Sequence, residues 1–491
     1  MAVINFLNWL DGILWGTPFL IFCMVLGLYF MLRGGFFPFR HFGHILKNTV
    51  FEKATQNDKN GNGKISPYRA FCIGLGGAVG MGNISGVATS VAVGGPGAIF
   101  WMLVWAFFGM MLKMAEISLG LYYRRKDSNG KYVGSAMDYM ERGIKGEQGK
   151  KIGGPLSVLF AIGLFMQFTQ GSGSYTVAET LNASFGFNIM AVGIIYTAFV
   201  LFLIIRGENA IGRMAEKIVP VMCAIYLLGT VVIILMNITN VPSMLVGIFQ
   251  GAFSGTAAVG GFAGAAVSLA IRQGVSRSIY SNEAGNGTSP LIHGSADTVH
   301  PMRQGLWGAV EVFGDTIIVC MCTGLAILVT DVWSSGTRGA ALGVLAFTEA
   351  FGLFGKYFVG IMTIVFAFTT STTWYLYYQN MLEFLFKKWP TAQKIAHRAF
   401  SVIFPLTMVG VCAFIYFTGS DAGLFWTIVS IATAFPVFFN GIALFLLRDK
   451  VWALLKDYKA RYLGLGEVDP NFHPFAEEDP VVMEKIQKNL R

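Results

Sequence analysis

Eleven stretches of the chain are apolar over the roughly 20 residues that a membrane-spanning helix needs. They lie at approximately 12–33, 68–92, 97–122, 155–183, 188–206, 214–236, 243–271, 303–330, 357–384, 397–417 and 423–447. Within a bilayer only helices and closed barrels satisfy every backbone polar group, so segments of this length predict an all-α polytopic membrane protein. Composition agrees: 54% of the 491 residues are hydrophobic and 13% charged, where a soluble domain carries about 25% charged residues. A soluble enzyme, secreted domain or nucleic-acid binder this apolar would lack the polar groups to cover its surface. The first stretch has neither a basic leading region nor a small-residue cleavage site, so it reads as a retained helix and not a signal peptide. Cys23, Cys72, Cys223, Cys320, Cys322 and Cys412 all sit within apolar stretches, without metal-ligand spacing or a disulfide framework, and read as small core residues.

The net charge of +9 is an orientation signal. Of the 36 Lys and Arg, 33 fall in alternate connections: 33–69, 124–151, 206–217, 272–303, 387–398 and the region after 447. Cytoplasmic connections collect basic residues, which predicts the N-terminus outside and the C-terminus in the cytoplasm. That arrangement needs an odd number of spans, and eleven is odd.

Two of the spans make poor helices. The second carries glycines at 74, 76, 77, 80 and 82, each costing about 1 kcal/mol relative to alanine in a helix interior. The seventh carries Gly251, Gly255, Gly260, Gly261 and Gly264. Small residues allow close helix packing in membranes, but Asn83, Ser85, Ser254 and Thr256 add polarity at the same depth. With the first span set aside, the two weak segments open two successive sets of five. Five spans invert the second set against the first, and interrupted helices at matching positions of inverted halves point to a secondary transporter's midplane site. The expected organisation is 1–67 as the N-terminal end, first helix and cytoplasmic loop, 68–236 and 243–447 as two five-helix repeats, and 448–491 as a solvated cytoplasmic tail.

At these residues the sequence resembles the alanine or glycine:cation symporter family. The resemblance rests on Gly63-Lys-Ile-Ser-Pro67, Gly82-Asn-Ile-Ser-Gly-Val-Ala-Thr89, Gly94-Gly-Pro-Gly-Ala98, Phe100-Trp101, Ala270-Ile-Arg272, Ser281-Asn-Glu-Ala-Gly285 and Pro301-Met-Arg-Gln-Gly305. It runs in order from about residue 12 to 447. It implies uptake of a small neutral amino acid, alanine or glycine, with Na+ as coupling ion and no organic cofactor, on a fold like the neurotransmitter:sodium symporters.

The resemblance further implies a substrate site of Gly82, Asn83, Gln170, Phe262, Thr370 and Trp374, and a sodium site of carbonyls at Gly76 and Val79 with the Thr369 and Thr370 hydroxyls. The chemistry fits on general grounds. A hard cation takes several oxygens, backbone carbonyls come free only where a helix unwinds, and threonine adds oxygen without charge. The chain departs from the family pattern at Thr373, where glycine is usual before the tryptophan, at Arg69, where glutamine is usual, and after Gln170, where Gly171-Ser172-Gly173 replaces Ala-Asn. Thr373 is expected to narrow or re-aim the pocket.

Lys113 and Glu116, three apart on one helix, are expected to pair on one face. Glu283 is expected to be a cytoplasmic-side structural or gating residue. Glu311 and Asp315 open the eighth span near Arg303, and Glu179 has no assigned role. Asp58-Lys-Asn60-Gly-Asn62-Gly63 begins like a calcium loop, but its twelfth position is Arg69, where a bidentate glutamate is needed. Ser66 and Pro67 instead suit the cap and first position of the next helix. No H-E-x-x-H, P-loop or G-x-S-x-G is present, so no enzyme chemistry is expected. The partners expected are a small neutral amino acid and plasma-membrane lipid (the inner membrane in a Gram-negative cell), with no nucleic acid and the oligomeric state open. A proton-coupled or sodium-independent exchanger on the same fold, and an ion channel, are the competing expectations.

Overall fold

A computed structural model describes residues 2–51, 65–127, 130–167, 173–254, 263–419 and 422–476. The principal helices begin with α1 (Ala2–Leu14), α2 (Thr17–Arg33), α3 (Pro67–Ala78), α4 (Val87–Gly94) and α5 (Gly97–Tyr122). Next come α6 (Gly153–Met166), α7 (Gly173–Phe185), α8 (Ile189–Ile204), α9 (Glu208–Met236) and α10 (Val241–Phe253). Then follow α11 (Ala263–Asn282), α12 (Pro290–His293), α13 (Pro301–Val312), α14 (Met321–Val329) and α15 (Gly339–Phe351). The chain closes with α16 (Leu353–Leu385), α17 (Pro390–Thr418), α18 (Ala422–Leu446) and α19 (Arg448–Leu463). A two-stranded antiparallel ribbon, β1 (Arg125–Lys126) and β2 (Tyr132–Val133), sits beyond the end of α5.

Among the described residues, seven helices are long and apolar enough to cross a membrane, and a bent pair makes an eighth. Side chains such as Phe199, Leu228 and Leu406 point outward from α8, α9 and α17, as lipid contact requires. By contrast, every residue of α5 from Gly109 to Tyr122 is buried. The helix α5 is therefore the axis against which the site-bearing segments are placed.

The bent pair is α3 with Gly82–Gly94, at 45°. Ser66 caps α3 by accepting from Arg69 N at 3.2 Å, with Pro67 in the first turn. The helix stops at Ala78, and Val79 is extended (φ −71°, ψ 97°). Gly80 N–H donates to Asn83 Oδ1 at 2.7 Å, and Asn83 N–H donates to Gly80 O at 3.2 Å. Those two N–H groups would otherwise bond Gly76 O and Val79 O, so both carbonyls are released. A π-helical turn, Gly82–Gly86, then leads into α4.

Of the second interruption that the glycine pattern predicts, Gly255, Gly260 and Gly261 lie outside the described residues; the described residues show an interruption after α11. Helix α10 lies against the Gly97 end of α5, where Trp101 Nε1 donates to Ala252 O at 3.1 Å. Helix α11 runs along α5. A Cβ on Gly274 would press on Trp101, one on Gly109 would meet Ala284, and one on Gly120 would meet Pro290. It breaks at Glu283–Ser289, with φ of 57° at Glu283, 89° at Gly285 and 79° at Gly287, before α12. Asn, Gly and a charge in mid-span lower the hydropathy, so this segment read as a connection. Arg272 and Arg277 consequently lie at the Gly97 end, with Asp11 and Arg338, and not at the Tyr122 end with Arg303, which follows Pro301 beside Ser118.

The region after 447 is also not a solvated appendage over its described part. Helix α19 buries Val451, Leu454, Leu455 and Tyr458, and Tyr458 OH bonds the His44 ring at 2.9 Å. The calcium-like loop at 58–63 lies outside the described residues.

Candidate cation and substrate site

The two interruptions face each other. A Cβ on Gly82 would meet the Tyr280 ring and Ser281 Cα, so the start of the first helix's second half lies against the end of α11. Helix α16 closes the third side. Thr370 Oγ1 lies 3.2 Å from Gly76 O and 3.4 Å from Val79 O, the two carbonyls that Asn83 releases. Gly80 is required here, because any Cβ would overlap the Thr370 hydroxyl. Three uncharged oxygens thus converge at a helix break, a donor set that suits a hard cation.

Thr369 is beside this point but turned along its own helix. Its hydroxyl donates to Phe366 O at 2.9 Å, while its Cβ side would touch a side chain placed on Gly76. Thr373 does not line the pocket. It donates to Ile73 O at 3.0 Å and packs on Gly77, fastening α16 to α3.

Next to the oxygens is a small cavity of ≈ 10 Å³, lined by Gly77, Ala78, Met81, Gly82, Tyr280, Glu283, Thr370 and Trp374. That is about the volume of one water. Gly82, Thr370 and Trp374 are therefore gathered at one place. Asn83 is buried but absent from this lining; its amide holds Gly80 and donates to Asp315 Oδ1 at 2.7 Å. Asp315 in turn accepts from Ser281 Oγ at 2.8 Å and Thr316 Oγ1 at 2.6 Å. Gln170 and Phe262 lie outside the described residues.

Glu283, expected as a cytoplasmic-side structural or gating residue, stands at the cavity itself. It lines the cavity, and its Oε2 accepts from Thr288 Oγ1 at 2.7 Å and Tyr377 OH at 3.1 Å. The signal for it was present: a helix-long run ending in Asn282-Glu-Ala-Gly-Asn-Gly, then Pro290. Lys113 and Glu116 do not pair with each other. Lys113 Nζ lies 2.9 Å from Glu311 Oε2 and donates to Asn282 O at 2.7 Å, capping the end of α11. Glu116 Oε1 accepts from Asn440 Nδ2 at 2.6 Å.

The two sides of the cavity differ. Among the described residues, an aromatic pair lies towards the Gly97 end: Tyr280 packs edge-on to Trp426 at 5.3 Å, and Trp426 Nε1 donates to Ser85 Oγ at 3.1 Å. Trp426 itself lines a wide outer cavity. Towards the Tyr122 end, Arg69 makes a two-pronged ion pair with Glu216 at 3.0 and 3.1 Å, between α3 and α9.

Two interrupted helices meeting around a site within a bundle of apolar helices are the architecture of a membrane carrier. The chain belongs to the sodium:alanine symporter family, whose model matches residues 1–472. It is 36% identical over 392 residues to the sodium/alanine symporter AgcS of Methanococcus maripaludis, covering 78% of this chain and 84% of that protein. It is 33% identical over 465 residues to the probable sodium/glutamine symporter GlnT of Bacillus subtilis, covering 94% and 92%. Its fold is similar to that of MhsT, solved in complex with L-phenylalanine, with a TM-score of 0.57 at 13% identity over 87% of this chain and 97% of that one.

Proposed function

We propose that the protein couples Na+ influx to uptake of a small neutral amino acid, alanine or glycine, by alternating access. Eleven crossings, an extra helix plus two inverted sets of five, place the N-terminus outside and α19 in the cytoplasm. The observation that carries this reading is the approach of Thr370 Oγ1 to the freed carbonyls of Gly76 and Val79. Na+ binds among these oxygens and Thr369 joins them by a change of rotamer, tying α3 to α16. The substrate carboxylate meets the N–H groups at Gly82, where the positive end of a half-helix favours an anion. Glu283 faces the ammonium group, and Trp374, with Gln170 and Phe262, bounds the side chain.

The test is uptake of labelled L-alanine by proteoliposomes under an inward Na+ gradient, under a proton gradient, and under neither. Uptake driven by Na+ alone is the expected result. Uptake that ignores Na+, or conductance without substrate, overturns the proposal in favour of an exchanger or a channel.

A further inference from the structure

The lipid-facing side of α2 runs down to a cluster of cations. Its exposed apolar side chains include Ile21, Val25, Leu28 and Leu32, a spacing that makes one stripe along the helix. The stripe ends at Arg33, which is also exposed. Gly34 and Gly35 then turn the chain, and Phe36 follows at φ 55°, a left-handed conformation that a bulky residue adopts only at a cost. The turn leaves Phe36 exposed, buries Phe37 and exposes Phe39. Basic groups gather round the buried Phe37 ring. The His41 ring lies 4.9 Å from it, and Lys459 of α19 places its Nζ 5.3 Å from the ring centre. Burial holds the Lys459 amine below its usual range, and the charge of Arg40 beside it adds to that effect. Among the described residues, the side chains of Arg40 and Lys459 make no ion pair or hydrogen bond. Asp457, two residues before Lys459, is committed to His300 and Arg461.

Two cations without a counter-charge, at the foot of a stripe that faces hydrocarbon, are the complement of an anionic amphiphile. We propose that Arg40 and Lys459 hold the phosphate of one anionic phospholipid, whose chains lie along the exposed stripe of α2. Arginine and lysine both bind phosphate oxygens by charge-assisted hydrogen bonds, and basic groups next to a spanning helix attract anionic lipid. A zwitterionic lipid brings an ammonium as well, and among the described residues no carboxylate pairs with either cation to receive it. Arg40 follows α2, whereas Lys459 belongs to α19. The lipid therefore fastens α19 to the membrane edge of the bundle, adding to the contacts of Tyr458 with His44 and of Asp457 with His300. This inference goes beyond the transport reading and does not depend on which substrate is carried.

The test is the melting temperature of the solubilised full chain in neutral detergent, titrated with phosphatidylglycerol, phosphatidylcholine or inorganic phosphate. Phosphatidylglycerol is expected to raise it and to slow chymotryptic cleavage within 448–463, and the other two are expected to do neither. The half-stabilising phosphatidylglycerol concentration should rise about fivefold in Arg40→Gln and likewise in Lys459→Gln, the effect of one charge near an anionic head group. Lys459→Arg should restore the wild-type response. Equal stabilisation of wild type by phosphatidylcholine overturns the proposal without need of any variant. A phosphatidylglycerol response unchanged in both glutamine variants overturns it as well. Stabilisation by inorganic phosphate to the same extent assigns the cluster to a free anion and removes the lipid. None of these measurements reads Na+-driven uptake, so their failure and that of the transport proposal are distinct results.

Discussion

Thr370 is the one described side chain that touches both parts of the proposed chemistry, reaching the freed carbonyls of Gly76 and Val79 while lining the cavity with Gly82 and Trp374. Thr370→Ala removes an oxygen without adding bulk, so the Na+ concentration for half-maximal uptake should rise about tenfold, the equivalent of 1.4 kcal/mol, as a Na+ titration of alanine uptake reads directly. Gly80→Ala approaches the same point from the other side. Its Cβ must displace the Thr370 hydroxyl, so Na+ stimulation should be lost while the chain still folds and inserts; retained stimulation at wild-type Na+ concentrations counts against the site. At this scale much was legible. The residues themselves show a glycine-broken helix, which frees carbonyls, and a polar run within an apolar span; the particular set Gly76, Val79 and Thr370 is what the family resemblance implies. Asn83 was legible as important but not in its task, since its partners are Gly80 and Asp315, and the latter lies 232 residues away. Thr369 shows the limit of neighbouring identity: one residue turns a helix by about 100°, enough to send its hydroxyl to Phe366 O.

The elements explain why the break in α3 is visible in the sequence and the one after α11 is not. The first is built of glycines within an otherwise apolar run, so hydropathy keeps the segment whole and propensity marks the break. The second is built of Ser281-Asn-Glu-Ala-Gly285, and its mid-span charge makes it look like a connection. What allows that charge inside is local compensation. Glu283 is held by Thr288 and Tyr377, and the carbonyl end of α11 is met by Lys113 at Asn282 O, a cation at the negative end of a helix dipole. Lys113 is held in turn by Glu311, whose other oxygen lies 2.6 Å from His293 Nε2 beyond the break. The chain of contacts therefore ties both sides of the second interruption to α5 and α13. Glu311→Gln leaves a buried lysine without its counter-charge, which costs about 3–5 kcal/mol when one partner of a buried pair is removed. A large fall in the melting temperature of the solubilised protein is expected, greater than for Arg69→Gln at the half-exposed pair with Glu216. Equal losses in the two variants would mean that Glu311 does not organise the break.

Across the whole molecule, the two ends of the bundle are built differently. Among the described residues, the Gly97 end carries the Tyr280–Trp426 aromatic pair below the outer cavity, whereas the Tyr122 end carries the Arg69–Glu216 ion pair and the docked α19. That docking is sensitive to protons. His300 caps α13: its Nδ1 accepts from Met302 N–H at 3.0 Å, which leaves Nε2–H to meet Asp457 Oδ2 of α19 at 3.1 Å. An imidazolium has no acceptor nitrogen, so protonation breaks the cap. Burial holds the imidazole below its usual value of 6.5, against the pull of Asp457. Burial also raises the Asp457 carboxyl, but hydrogen bonds from His300 and Arg461 outweigh it and hold the group below the ordinary carboxylate range. Both shifts have the same sign. A group whose value is lower in the folded form binds more protons when unfolded, so stability falls with falling pH. For His300 that loss begins as the pH drops through 6.5, and for Asp457 it follows only below about 4. Melting temperature measured from pH 8 to 5.5 should therefore decline mainly below 6.5, with proteolysis within 448–463 increasing in parallel. His300→Gln can still accept from Met302 N–H or donate to Asp457 but cannot titrate, so its profile should be flatter over that range. A wild-type decline that survives this substitution would assign the pH response to another group.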